Sequence, residues 1–171
     1  MKGEKAGGAV TYRMHVIAGD AAELAANAGG LIVDRMMSGW RVSAQLLENS
    51  DAPGDNRSVQ ILGAELVEDM ESSAGEEGEQ CVLVIGADSY DRVIADDARQ
   101  LPAGLAEVLV WGRSPDPTCT FGHNLSAAAL AFKTQAVAAA QLTDGETADE
   151  VAVAESFTSM NVKGGGVPLR A

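Results

Sequence analysis

The sequence predicts a three-layer α/β domain, a mostly parallel sheet of four or five strands with helices on both faces. Three observations predict it. Short apolar runs of strand composition alternate along the chain with segments of helical apolar spacing. Residues 12–47 hold a strand, a long helix and a second strand in succession, a βαβ unit, and such units pair their strands in parallel. The runs at 81–85 and 107–111 are nearly continuous in apolar residues, as strands covered on both faces are.

Residues 1–10 read as a mobile leader before the first strand. In residues 12–18, Tyr12, Met14 and Val16 alternate with Arg13 and His15, which marks a strand. Gly19-Asp20 ends it. Asp20 is suited to cap a helix, because its carboxylate accepts from the free N–H groups of the first turn, and Glu23 three residues on makes a variant of the capping box. Leu24, Ala28, Leu31, Ile32 and Met36 then carry a helical stripe over residues 21–38, with Gly39 placed to take the positive φ of a C′ residue. Within this helix the pair Gly29-Gly30 is costly, about 0.5–1 kcal/mol per glycine relative to alanine, so close packing against another element or another copy is expected to offset it.

Residues 40–47 resume strand composition, and 48–57 read as a turn-rich loop. A third strand is expected over 58–67 and a flexible acidic excursion over 68–80. Residues 81–85 read as the next strand, a fully buried one, with helix over 82–90 as the alternative that a short apolar run leaves open. A helix is expected over 89–100, stopped by Pro102, then a strand over 107–111 and a loop over 113–123. Asn124 is the expected cap of the last helix, whose stripe is Leu125, Ala129, Phe132, Ala136 and Ala139. The organisation is therefore a leader (1–10), one domain (11–142) and an acidic, then glycine-rich tail (143–171).

The architecture over residues 12–142 is Rossmann-like, and in open α/β sheets ligands bind beyond the carboxyl ends of the strands. That rim contains Gly19, Asp20, Gly86, Asp88 and Arg113, with His123 and Asn124 expected to reach it. The dinucleotide fingerprint is missing: one glycine follows the first strand, beside an aspartate that repels phosphate, and Glu48 lies too late for the ribose-binding acid. There is no phosphate-binding loop and no nucleophile elbow. Cys119 and His123 are the only closely spaced soft ligands, with Cys81 and His15 elsewhere, too few for a zinc site. Asp88, Asp91, Asp96 and Asp97 read as a solvated helix face rather than a cation loop. Trp40 and Trp111 fall at strand positions and read as core or edge residues. No metal, cofactor or catalytic residue is expected.

A chain of 171 residues buries roughly 70% of its unfolded surface, enough for a core without disulfides or metal. The net charge of -13 disfavours nucleic acid and anionic membrane surfaces. Two cysteines, no apolar leader and no spanning segment suit a soluble cytoplasmic protein, and the Ala-, Gly- and Asp-rich composition resembles that of high-GC bacteria. Two functions fit. With no catalytic signature, the favoured reading is a non-catalytic binding or assembly module that engages a protein partner or itself, with Gly29, Gly30 and Trp40 at the interface. The alternative is a small enzyme or small-molecule-binding protein that uses the strand-end rim. Asp20 or Asp88 would then be a general base, with the amino end of the last helix, near His123 and Asn124, receiving an anionic group.

Overall fold

The computed structural model describes residues 12–48, 53–67, 80–93, 105–112, 120–140, 154–163 and 167–168. Strand β1 (Tyr12–Ala18) is followed by helix α1 (Ala21–Met37) and strand β2 (Arg41–Leu46). β1 and β2 pair in parallel, from Arg13 opposite Arg41 to Ala18 opposite Leu46. The local signals act as expected. Asp20 caps α1 by accepting from Glu23 N at 2.8 Å, and Gly39 leaves the helix with φ 95. The capping box differs in one respect: Glu23 reaches back to Gly19 N, at 2.9 Å, one residue beyond the cap.

Helix α2 (Pro53–Leu62) and a two-residue strand β3 (Glu65–Leu66) come next. The strand expected over 58–67 is thus mostly helix. Ser58, Val59 and Leu62 are buried and Gln60 is exposed, which is helical spacing. Pro53 takes the first position, where its missing N–H costs nothing, and Gly63 ends the helix at φ 90. β4 (Gln80–Gly86) resolves the ambiguity at 82–90: strand to Gly86, then helix α3 (Ala87–Val93). The remainder of the helix expected to 100, the leader, and all of the excursion expected over 68–80 except Gln80, which opens β4, lie outside the described residues. β5 (Leu105–Trp111) ends at Gly112, whose φ is 89.

The last elements are β6 (Thr120–Asn124), α4 (Ala127–Ala140), β7 (Ala154–Lys163) and β8 (Val167–Pro168). The strand order is β3-β2-β1-β4-β5-β7-β6, with β8 paired to β7. The fold is α/β, but the sheet is mixed and has seven strands on this path rather than four or five mostly parallel ones. β3, β2, β1, β4 and β5 run parallel, whereas β7 is antiparallel to both its neighbours, β5 and β6. Part of the segment read as a tail is therefore an interior strand. Likewise Thr120–Asn124, read as loop and cap, is an edge strand, and Ser126 caps α4 by accepting from Ala129 N at 3.1 Å. Phe132, expected on the apolar stripe, is 47% exposed, and Lys133 is buried instead.

Two cores follow from the alternation of the strands. One face brings Met14, Val16, Ala44, Val84 and Leu109 against α1, α2 and α4. The other packs Ile17, Leu83, Ile85, Val108 and Val110 on Ala87, Tyr90 and Val93 of α3. Each fully buried aliphatic side chain stabilises the fold by roughly 1.5–3 kcal/mol. This packing fixes the carboxyl ends of β1, β4 and β5 side by side.

Candidate site at the carboxyl ends of the strands

At that end a cavity of about 480 Å³ is lined by Gly19, Glu23, Glu48, Asp88, Ser89, Asp91 and Arg92. Its position follows from topology. Gly19 follows β1, Glu48 lies just past β2, and Asp88 to Arg92 belong to α3 immediately after β4. The backbone pairing of β1 with β2 continues to the rim, where Glu48 N donates to Gly19 O at 2.8 Å.

Glu23 is the most constrained group there. Its Oε1 accepts from Gly19 N at 2.9 Å and its Oε2 from the indole Nε1 of Trp111 at 3.0 Å. Glycine leaves room for it on both sides. A Cβ on Gly19 would lie 2.9 Å from Glu23 Oε1, and a Cβ on Gly86 would collide with Glu23 Oε2 and the Trp111 indole. Neither donor carries charge. The carboxylate is oriented without being neutralised, and each oxygen has a second lone pair for another donor. Such an arrangement can bind a cation or an N–H group, or take a proton from a bound molecule.

The structure divides the residues expected at the rim. Gly19, Asp20, Gly86 and Asp88 are there. Asp20 has its Oδ1 committed to the α1 cap, Gly86 makes room for Glu23, and Asp88 is exposed on the cavity wall. Arg113 and Cys119 lie outside the described residues. His123 and Asn124 do not line the cavity. They belong to edge strand β6, where His123 pairs with Glu155 and Asn124 with Ala154 across the ladder. His123 Nε2 bonds Asp34 Oδ2 at 2.8 Å, and Asp34 also accepts from Ser126 Oγ at 2.5 Å and Ser126 N at 3.2 Å. Burial pushes the Asp34 carboxyl up, but the Ser126 and His123 hydrogen bonds and the His123 charge outweigh it and hold it below its ordinary 3.8. With aspartate between serine and histidine, the histidine does not activate the hydroxyl, so this is a helix-end clamp and not a nucleophilic triad.

The other expected positions are accounted for inside the chain. Gly29 and Gly30 are buried in α1; a Cβ on Gly29 would press on Leu62 and Lys133 at 3.3 Å, and one on Gly30 would collide with Leu125. Trp40 stacks on Tyr12 at 4.8 Å with the Arg35 guanidinium 5.2 Å above its ring, at the amino end of the sheet. His15 is buried between Ser43 Oγ at 2.7 Å and Gln45 Oε1 at 3.1 Å. Among the described residues no group of three or more His, Cys, Asp and Glu is placed to hold a metal ion, and no helix is long and apolar enough to cross a membrane.

Sequence reasoning gives Glu23 a capping role alone and assigns nothing to Glu48, Ser89 or Arg92. Glu23 and Arg92 reach the cavity from within helices and carry no positional signal. Position is the available signal for Glu48, just past β2, and for Ser89, in the first turn after β4. Trp111, the last residue of β5 and followed by a glycine, carried the same signal.

No protein-family model and no curated protein sequence matches the chain. Solved structures do match in fold. A deacetylase triple mutant from the teicoplanin biosynthetic pathway is 12% identical with a TM-score of 0.55, over 87% of this chain and 98% of that one. An antimicrobial pseudoaglycone deacetylase is 13% identical, TM-score 0.54, over 87% and 97%. A conserved protein from Thermus thermophilus is 11% identical, TM-score 0.50, over 75% and 78%. At these identities the likeness is one of fold, and the fold is one that deacetylases use. This overturns the expectation of a non-catalytic binding or assembly module. The absence of familiar motifs excluded only the motifs tested, and the glycine pair thought to serve assembly faces the chain's own Leu62, Lys133 and Leu125.

Proposed function

We propose that the protein is a small enzyme or small-molecule-binding protein whose site is the cavity at the carboxyl ends of β1, β2 and β4. The observation that carries this is the cavity itself, of a volume usual for ligand pockets, at the place where open α/β sheets receive ligands. Its lining sets the ligand class. Four carboxylates, Glu23, Glu48, Asp88 and Asp91, face one guanidinium, Arg92, so the favoured ligand carries positive charge or several N–H groups. Glu23 grips the cationic group. Asp88 is the general base if the bound molecule reacts, because Asp20 is committed to its cap. The fold shared with deacetylases favours hydrolysis of an acetyl group as that reaction.

A matched pair of probes tests the site. 1,4-Diaminobutane is expected to raise the melting temperature, and 1,4-butanediol is not. At one hundred times Kd a ligand stabilises by about 2.7 kcal/mol, which is about 5–10 °C for a chain of this size. A diamine that leaves the melting temperature where the diol leaves it refutes the ligand class. Acetyl hydrolysis is tested with p-nitrophenyl acetate, whose turnover should fall at least tenfold in Asp88→Asn; equal turnover removes Asp88 from the reaction.

A further inference from the structure

We infer that Trp111 is the positioning residue of this site: its indole N–H holds Glu23 Oε2 so that the carboxylate keeps both its orientation and its charge for a cationic ligand. The inference rests on the reading of the cavity given above. Trp111 is 4% exposed and does not line the cavity, so it acts through Glu23 rather than on the ligand. An indole N–H only donates. It orients Glu23 without accepting from a ligand, and its neutrality leaves the carboxylate charge unspent, which a lysine or arginine at the same place would cancel. The opposite oxygen is held by Gly19 N, so the two donors fix the carboxylate plane from both sides. Gly86 completes the device, since any side chain there would separate the indole from Glu23.

The prediction concerns selectivity rather than stability. In Trp111→Phe the ring still fills the core but the N–H is gone. Preference for 1,4-diaminobutane over 1,4-butanediol, measured by calorimetric titration, is expected to fall roughly tenfold, the usual weight of a hydrogen bond to a charged group. Leu109→Val, on the same strand and away from the cavity, loses packing but is expected to keep wild-type selectivity. Should Trp111→Phe fail to fold, the wild-type protein answers alone. In a ¹⁵N spectrum the indole N–H resonance of Trp111 is expected to shift on diamine addition while that of Trp40 stays fixed. Diamine binding with unchanged selectivity in Trp111→Phe, or with a motionless Trp111 resonance, overturns the positioning role and leaves the site standing. A wild-type protein that binds neither probe overturns the site and the positioning role together.

Discussion

Two glutamates that meet α1, one within its first turn and one reaching it from β7, show how the same group serves different ends. Glu23, in the first turn, accepts from two neutral donors and looks onto a cavity. Glu155, on β7, accepts from the mid-helix N–H groups of Gly30 and Leu31, each at 2.8 Å, and from Lys133 Nζ, also at 2.8 Å. The Lys133–Glu155 pair is 1% exposed on each side. At Glu155 every partner is buried and the charge is cancelled; at Glu23 the bonds are satisfied and the charge remains. The first arrangement holds a strand in place, and the second is available to a ligand.

The comparison is broken first at the seam. Glu155→Ala leaves Lys133 buried without its counter-charge and should cost about 3–5 kcal/mol, read as a fall in the denaturation midpoint. Adding Lys133→Met should recover part of that loss, because the orphaned cation is then removed. A single variant as stable as wild type contradicts the structural role. Glu23→Gln is the matched change at the rim. It leaves one oxygen to accept and turns an NH₂ toward the other donor, so a loss of about 1 kcal/mol is expected together with loss of diamine binding. A stability loss as large as that of Glu155→Ala would erase the distinction between the two carboxylates.

The smallest effect belongs to Asp34, which lies between these cases. Its carboxyl is held below 3.8 in the folded chain. A group lowered by folding stabilises at pH above its unfolded value, and that contribution is lost as pH falls through the lowered folded value. Acid titration of stability should therefore be less steep below pH ~4 in Asp34→Asn. Identical acid limbs in the two proteins would show that the clamp to Ser126 and His123 carries no linkage.

How much was legible depended on sequence separation. The β1–α1–β2 unit was readable because its signals are local: period-two alternation, the Asp20 cap, the stripe, and Gly39 at the exit. Two of the residues that line the cavity, Gly19 and Asp88, were readable for the same reason, since they stand at strand ends. Residues 53–62 misled because Val59, Ile61 and Leu62 are apolar at spacings that a strand and a short helix share, and packing on α1 and α4 decides between them, with Leu62 against Gly29 and Ser58 Oγ donating to Ala136 O at 2.9 Å.

By itself, then, the sequence determined an α/β fold, the parallel β1–β2 pair with its crossing helix, and which glycines and acids end the strands. Tertiary structure alone decided the mixed sheet, the burial of Gly29-Gly30 within one chain, and the meeting of Trp111 with Glu23. The reason is physical. β7 is polar enough to read as a tail, and its place between β5 and β6 depends on a carboxylate satisfied 125 residues away, at Gly30. A buried charge is stable only where its partners converge, and no local pattern records where distant partners will be.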